Sequence, residues 1–231
     1  MVRLSNGRSL SRPGPERARR RADLRRREIL RAAARIFRER GFALTGMRDI
    51  AQAADLSSGN LYHYFRGKDE ILFACQDESL DRLLEALRRV RRGDGPLGDR
   101  LHALAIAHLH CLLDEFEGSA AHFEVDVLPP QLRKRIVAKR DLYERGTRAL
   151  VREGVRRGDL RGDDPAMMTR AFFGALNWTA HWFRSGGPQS SDVVAAKVAS
   201  YAVAGLLARG DNDGAATGRK RSRARGRAAA R

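Results

Sequence analysis

Three consecutive residues, Ser58, Gly59 and Asn60, place small and hydrogen-bonding groups at the start of a short segment with helical apolar spacing. Small residues at the start of a helix let its backbone approach base edges in the major groove of DNA. An asparagine amide can pair bidentately with adenine, and a serine hydroxyl can bond to several bases. These residue types therefore point to direct readout of a DNA sequence.

Further side chains around this segment suit phosphate oxygens rather than bases. Phenol, imidazole, hydroxyl, ammonium and guanidinium groups donate to phosphates, and helix N-termini favour an anion. The same spacing also occurs by chance in helical proteins, where the two tyrosines would be core residues and the histidine an ordinary surface residue. The predicted additional DNA contacts are Thr45, Arg48, Ser57, Tyr62, His63, Tyr64 and Lys68.

Three short helices must position these groups. A first helix is predicted over residues 23–40, because apolar residues recur on one face of it. The second begins at Thr45 as N-cap, and the third follows a turn at 55–57 with Ser57 as its cap. Leu61 and Phe65 are four residues apart, so both are expected to face inward.

Residues 25–72 resemble the N-terminal domain of TetR-family transcriptional regulators. The turn glycine usual in that family is Asp55 here, and Asp tolerates left-handed geometry better than most residues. The resemblance implies a homodimer on a palindromic operator and a helical C-terminal domain that senses a small molecule. The matching features are Gly41-Phe42, Thr45, Ile50-Ala51-x-Ala53-Ala54, Ser57-x-Gly59-x-Leu61-Tyr62-x-Tyr64-Phe65 and Lys68.

Positive charge is concentrated at the two ends of the chain. The formal net charge is +17, and residues 1–22 hold seven Arg against one Glu, while 210–231 hold seven Lys or Arg against two Asp. We expect a disordered basic arm (1–22), a helix-turn-helix domain (23–70), a ligand-binding and dimerisation domain (71–209) and a disordered basic tail (210–231). Such ends suit a polyanion; alternatively, the tail has no selected role.

Beyond residue 70 the sequence predicts only helices, so the fold class is all-α with about nine helices. Helices are expected from about 68 to 92, 98 to 117, 131 to 157, 165 to 184 and 190 to 208, and residues 118–131 are ambiguous. The two cysteines, Cys75 and Cys111, are expected to be reduced, packed thiols. No apolar run is long enough for a membrane span, so a cytoplasmic location without a membrane partner is expected.

Residues 174–188 suggest a ligand site. Asn177 and His181, and Trp178 and Trp182, form i,i+4 pairs that could line a pocket or could equally be interface packing. This stretch weakly resembles TetR-type regulators of lipid, steroid and acyl-CoA catabolism, which implies a bulky amphipathic inducer such as an acyl-CoA thioester. Basic residues near the start of the 131–157 helix could hold coenzyme A phosphates or form a solvated face; the candidates are Arg133 and Arg140.

The last two helices are predicted to form the dimer surface. The 165–184 helix is apolar nearly all round, and the last helix has a stripe of mainly small residues that allows close approach. Alternatively, both helices are buried within one subunit. The predicted interface residues are Phe173, Val194, Val198, Tyr201, Ala202 and Gly205.

These observations favour a ligand-released repressor of transcription. A second hypothesis is a non-specific architectural DNA-binding protein held by the basic ends. An enzyme is disfavoured, since no nucleophile–base spacing, cofactor loop or placed acid pair stands out, and no cofactor is expected. A metal site is disfavoured too, because His102, His108 and His110 do not share one helix face, leaving His110 and Asp114 as two ligands at best.

Overall fold

The computed structural model describes residues 15–113 and 125–208, and within them it contains eight α-helices and no strand. The all-α class is thereby confirmed, while the expected count of about nine is eight in these ranges. Of the ambiguous stretch 118–131, residues 118–124 lie outside the described residues, and α6 begins at Pro130. The helices are α1 (Pro15–Arg40), α2 (Met47–Ala53), α3 (Ser58–Tyr64), α4 (Lys68–Arg92), α5 (Leu97–Leu113), α6 (Pro130–Arg157), α7 (Pro165–Trp182) and α8 (Ser191–Ala204).

Helix α1 begins eight residues earlier than the sequence pattern predicted. The expected start at Asp23 marked the beginning of the apolar periodicity, but helix formation does not require a buried face where the residues are strong helix formers. The first turn holds Glu16, which pairs with Arg20 one turn later at 3.2 Å, an arrangement that suits the positive end of the helix dipole. Residues 15–22 are therefore helical; the rest of the predicted basic arm lies outside the described residues.

The cap of α2 also differs from the prediction. Gly46, not Thr45, is the N-cap, and its backbone N–H donates to Asp49 Oδ2 at 2.8 Å. Thr45 lies one residue earlier and is 1% exposed. Its hydroxyl donates to the Gly41 carbonyl at 2.8 Å, closing the loop after α1. Ser57 caps α3 as predicted, since its Oγ accepts from the Asn60 N–H at 3.2 Å.

Two apolar cores share helices α5 and α6. The first joins α1, α2 and α3 to α4, with Ile29, Leu61 and Phe65 buried, as the predicted inward positions required. The second lies among α5, α6, α7 and α8. Helix α4 runs from the first core along α5 and α6, so a single rigid element connects the N-terminal helices to the rest of the chain.

Helix α6 approaches its neighbours through two glycines. A Cβ added at Gly146 would lie 2.4 Å from Leu87 Cδ2 of α4. One added at Gly154 would lie 2.0 Å from Leu97 Cδ2 of α5. Both distances are far below van der Waals contact, so a larger side chain at either position would have to displace Leu87 or Leu97.

Helices α7 and α8 end earlier than predicted. Helix α7 ends at Trp182 and α8 at Ala204, two and four residues before the expected ends. After α8 the chain turns back against the segment that follows α6. Arg161 Nε donates to the Gly205 carbonyl at 2.7 Å, and an isolated antiparallel bridge joins Leu160 to Leu207. No helix in the described ranges is long and apolar enough to cross a membrane.

Candidate DNA interface and ligand cavity

A shallow groove separates α2 from α3 and gathers several of the predicted DNA contacts. Arg48 and Asn60 are exposed on opposite sides of it, and Ser58 is half-buried between them. Gly59 is exposed on α3, with nothing within 4 Å of the place where its Cβ would be. The groove thus brings together small, amide, hydroxyl and guanidinium groups on one open surface.

The turn between α2 and α3 depends on a left-handed residue. Asp55 has φ 53°, the only positive φ of a non-glycine residue in the described part of the chain, so the expected left-handed geometry at this position is confirmed. Its carbonyl accepts from Arg25 Nη2 at 3.0 Å. The other end of α3 is held similarly, since Arg26 Nη1 donates to the Tyr64 carbonyl at 3.4 Å and its guanidinium lies over the Phe65 ring.

The aromatic residues of α3 divide between solvent and core. Tyr62 is 55% exposed and His63 is exposed, so both are free of the core, as a phosphate-contacting role requires. Tyr64 is half-buried and packs against the N-terminal core, which leaves only part of its ring for another partner.

Lys68 does not present a free ammonium group, contrary to its predicted role at a phosphate. Its Nζ donates to the carbonyls of Phe42 (2.9 Å), Thr45 (3.0 Å) and Ala43 (3.3 Å). It also lies 4.5 Å from the centroid of the Phe42 ring. An ammonium group has three N–H donors, so these carbonyls account for all of them. Lys68 fastens the first turn of α4 to the loop between α1 and α2.

The buried hydroxyl of Thr45 is likewise unsuited to its predicted phosphate contact. It is committed to the Gly41 carbonyl and is almost fully covered by protein. Thr45 and Lys68 therefore support the loop that leads into α2. Leu44, in the same loop, is 81% exposed and was missed by the sequence analysis.

A cavity of about 490 Å³ lies between α4, α5, α6 and α7. Its walls combine aliphatic and aromatic carbon with a few polar groups, the composition typical of small-molecule sites. Charged residues of α6 and α7 also line it. The lining residues are Leu80, Leu83, His108, Leu112, Arg140, Tyr143, Glu144, Arg170, Phe173, Gly174 and Asn177.

A hydrogen-bonded relay crosses one wall of this cavity. His108 Nε2 lies 3.0 Å from Asn177 Oδ1, and His108 Nδ1 lies 3.4 Å from the Tyr143 hydroxyl. Burial lowers the pKa of His108 from 6.5 to about 4. The neutral ring therefore donates from Nε2 to Asn177 and accepts from Tyr143 at Nδ1. Asn177 keeps its amide N–H groups as donors for another partner.

Two guanidinium groups lie at the cavity. Arg140 is half-buried, and this burial lowers its pKa, while Asp126 opposes the shift. Arg170 is exposed on α7. The cavity thus combines apolar walls with a neutral amide donor and two cations.

The remaining predicted ligand residues lie outside the cavity. Trp178 and Trp182 are 65% and 50% exposed on the outer face of α7, and the Trp178 ring packs against His181. Arg133 pairs with Asp126 at 2.9 Å on the surface. Of the six predicted ligand residues, the structure brings only Asn177 and Arg140 to the cavity wall.

The predicted dimer residues are similarly divided. Val194 is buried in the core of its own subunit, and Phe173 lines the cavity, so neither is available to a second chain. Val198 and Ala202 are half-buried against the same core. Tyr201 is 76% exposed and Gly205 is exposed, so these two lie on the outer face. A helix turns about 100° per residue, so an error of one residue in choosing the inward-facing stripe assigns the wrong residues to the outer face.

Sequence reasoning missed several residues that line the cavity and the groove. His108 and Tyr143 were not assigned to the ligand site, although a histidine within an apolar helix is a signal for a buried polar network. Gln52 lines the DNA groove one helical turn after Arg48, a spacing that could have identified it. Within the described residues, no group of three or more His, Cys, Asp or Glu could hold a metal ion. Asp114 lies outside those residues.

The cysteines are packed thiols, as predicted. Both are free and buried, and Cys75 Sγ lies 3.6 Å from the Leu30 carbonyl that it donates to. Burial raises the pKa of Cys75 to about 12. Such a thiol is unreactive at neutral pH.

An exposed helix-turn-helix groove on an all-α chain defines a DNA-binding regulator. Residues 29–75 match the profile described as bacterial regulatory proteins, tetR family, and residues 94–206 match a tetracyclin repressor-like C-terminal domain. The chain belongs to the TetR family of transcriptional regulators, which are DNA-binding proteins rather than enzymes.

Three relatives illustrate this membership. The transcriptional repressor KstR2 of Rhodococcus jostii is 29% identical over 191 residues, covering 79% of this chain and 91% of that protein. The TetR-family regulator PfmR from Thermus thermophilus is 32% identical, with a TM-score of 0.69 over 77% of this chain and 97% of PfmR. The structure of AibR with isovaleryl coenzyme A and operator DNA is 25% identical, with a TM-score of 0.67 over 79% of this chain and 98% of AibR.

Proposed function

We propose that this chain is a homodimeric repressor that leaves a palindromic operator when an acyl-CoA thioester, or a similar amphipathic ligand, enters the cavity. The observation that carries the proposal is the cavity between α4 and α7. It combines an apolar interior with a neutral amide donor and flanking guanidinium groups. The cavity includes residues of α4, and α4 packs against the N-terminal helices that form the DNA groove, so a ligand in the cavity acts on a helix that supports the groove.

At the DNA, base contacts are assigned to Ser58, Gly59 and Asn60. Asn60 is exposed, and its backbone is fixed by the Ser57 cap, so its amide is presented from a rigid helix start. Arg48, Tyr62 and His63 are the surrounding phosphate donors. Ser57 contributes by holding the first turn of α3.

Within the cavity, the ligand's thioester carbonyl is assigned to the Asn177 amide. That amide already accepts from His108, which fixes its orientation and leaves its N–H groups as donors. The acyl chain packs against Leu80, Leu83 and Leu112. Arg140 and Arg170 suit phosphates of the coenzyme. The support from relatives is the isovaleryl coenzyme A in the AibR structure.

Dimerisation is assigned to the outer faces of α7 and α8. Met167, Trp178 and Trp182 are between 50% and 65% exposed on α7, and Tyr201 is exposed on α8. Large aromatic residues in solvent are costly unless another surface covers them, and a two-fold contact covers the same face on both chains. This face replaces the predicted stripe through Val194.

The ligand test compares two arginines of α6 that are seven residues apart. An operator is first selected from random duplexes, and its release by isovaleryl-CoA, by longer acyl-CoAs and by the free acids is then measured by fluorescence anisotropy. Arg140→Gln should raise the acyl-CoA concentration needed for release at least about tenfold, while Arg133→Gln, with the same loss of charge outside the cavity, should not. Release by none of these compounds, or equal effects of both variants, would contradict the ligand assignment.

The dimer test uses arginine substitutions on two exposed apolar positions. Trp178→Arg should convert the protein to monomers in sedimentation and abolish binding to the full palindrome. Leu142→Arg changes a side chain that is 52% exposed on α6 and should leave the assembly intact. A dimer that survives Trp178→Arg would move the interface away from this face.

A further inference from the structure

Three aromatic rings hold the polar relay of the cavity in place. The rings of His108 and Tyr143 lie nearly parallel, with centroids 5.9 Å apart. Phe173 packs against both, at 5.5 Å from the His108 ring and 5.3 Å from the Tyr143 ring. All three line the cavity. This packing holds the ring nitrogens in position, so a reversal of the relay would involve only its protons and the Asn177 amide.

The Tyr143 hydroxyl decides the direction of this relay. Tyr143 is buried, and His108 Nδ1, at 3.4 Å, is the acceptor found for its hydroxyl in the described part of the chain. If Nδ1 carried the ring proton, the hydroxyl proton would lose that acceptor, and a buried donor without a partner is costly. The proton of the neutral ring is therefore on Nε2, which lies 3.0 Å from Asn177 Oδ1.

The direction of the relay fixes what the cavity offers to a ligand. Because Nε2 donates, the Asn177 amide turns its oxygen toward His108 and keeps two N–H donors for a ligand. A carbonyl oxygen can accept from these donors. A hydroxyl can accept as well, but its own proton then needs an acceptor, and the Asn177 oxygen is already occupied. Glu144, the acidic residue of the wall, is paired with Arg148.

We propose that Tyr143 sets the polarity of the Asn177 amide and thereby makes the cavity selective for ligands that place a carbonyl oxygen, rather than a hydroxyl group, against it. This inference rests on the proposed ligand response and names the functional group that the same site selects. Tyr143 is a positioning residue, because it acts on the ligand through His108 and Asn177. Without its hydroxyl, Nδ1 has no partner in either tautomer, so the amide can present either end.

Two ligands that differ only in this group test the selectivity. The first is a coenzyme A thioether whose alkyl chain carries a ketone, and the second is the alcohol obtained by reducing that ketone. Both have the same charge and the same chain length. Their ability to release the full-length protein from its selected operator is measured by fluorescence anisotropy, with isovaleryl-CoA as the reference compound.

The ketone should release the operator at a concentration about tenfold lower than the alcohol does, because a site with fixed polar groups rejects a ligand that leaves one of them mismatched. Tyr143→Phe keeps the ring and should remove this preference. Leu83→Val is the control, since it alters only the apolar wall of the cavity. It should change the potency of both compounds alike and keep their ratio, as would a purely structural effect of Tyr143→Phe.

The position of the ring proton is tested without any ligand. Nitrogen NMR of the protein labelled in its histidine rings distinguishes a protonated ring nitrogen from one that accepts a hydrogen bond. The His108 signals, identified by their loss in His108→Gln, should show the proton on Nε2 in the wild-type protein. Tyr143→Phe should give a mixture of the two tautomers.

Three results would overturn the inference. A proton on Nδ1 in the wild-type protein reverses the polarity of the relay. A ketone no more potent than the alcohol, or a preference that Tyr143→Phe preserves, removes Tyr143 from ligand selection, while release by isovaleryl-CoA leaves the proposed function intact. Release by none of the coenzyme A compounds instead removes the proposed ligand class, and this inference with it.

Discussion

The DNA groove and the cavity use polar side chains in opposite ways. Around the groove, side chains bond to backbone: Lys68 to three carbonyls, Arg25 to the Asp55 carbonyl and Ser57 to a backbone N–H. In the cavity, His108 bonds to two other side chains, Asn177 and Tyr143, beside open volume. Hydrogen bonds to the backbone fix the groove as part of the fold. Hydrogen bonds between side chains, by contrast, can be broken and replaced by hydrogen bonds to a ligand.

This difference suits a regulator with one constant and one adjustable site. The groove must present the same atoms to DNA in every molecule. The cavity must have two states of similar free energy, so that a ligand preferring one of them shifts the population. Helix α4 belongs to both regions through Lys68 at its start and Leu80 and Leu83 further along.

Acidification is the largest expected perturbation and should act on the cavity alone. The pKa of buried His108 is about 4, below the 6.5 of an exposed histidine, so the unfolded chain binds the proton more tightly. The free energy of unfolding is therefore highest above pH 6.5, and it falls by about 3 kcal/mol in total as the pH drops toward 4. Urea unfolding across this range should show the loss, and His108→Gln should reduce it. The matched change at exposed His63 is the control, and equal curves for both variants would refute the assignment.

Lys68→Met has the next largest expected effect, and it should act on the groove region. Three carbonyls lose a charged donor, which is expected to cost about 2–3 kcal/mol of unfolding free energy. The salt slope of operator binding distinguishes this role from a phosphate contact, whose loss lowers the slope by about one. Lys134→Met is the charge-matched control. A reduced slope with unchanged stability would restore the phosphate role.

Asn60→Ala should weaken operator binding by about 1–3 kcal/mol and relax preference at one base position. Gln52→Ala, on the facing side of the groove, is the comparison variant. Competition among operators with single base changes measures the effect. Uniform weakening across all of them would reassign Asn60 to the backbone.

Asp55→Gly is the substitution with the smallest expected effect. Glycine removes the cost of left-handed backbone at φ 53°, but it also gives the unfolded chain more freedom, so a gain of less than about 1 kcal/mol remains. Asp55→Val should instead lose stability, because a β-branched residue resists this geometry. Denaturant midpoints check both, and a stabilising valine would contradict the turn assignment.

Local signals in the sequence were sufficient for the turn before α3 and for the cap of that helix, but not for the start of α1 or the cap of α2. The Ser57 cap and the left-handed Asp55 each depend on neighbours within a few residues. Lys68 shows the limit of such reasoning, because its partners lie more than twenty positions earlier. Its charge suggested a phosphate, while the folded chain supplies carbonyls.

The cavity was harder to predict because four helices contribute to it. The polar ridge of α7 was recognised, but only Asn177 of its members points inward, and the aromatic ridge faces solvent. Tyr143 and His108 come from separate helices whose relative rotation the sequence does not encode locally. The same uncertainty about rotation placed Val194 on the outside rather than in the core.

The two glycines of α6 give this helix the character of a lever. Its C-terminal half packs closely against α4 and α5 at Gly146 and Gly154, where a larger side chain would have to displace Leu87 or Leu97. Its N-terminal half carries Lys139, which forms ion pairs with Asp77 and Asp81 of α4, about 10 Å along the helix axis from Gly146. If α6 pivots about these glycine contacts, a small displacement of Tyr143 becomes a larger displacement of Lys139. That displacement reaches α4 through two ion pairs rather than through apolar packing.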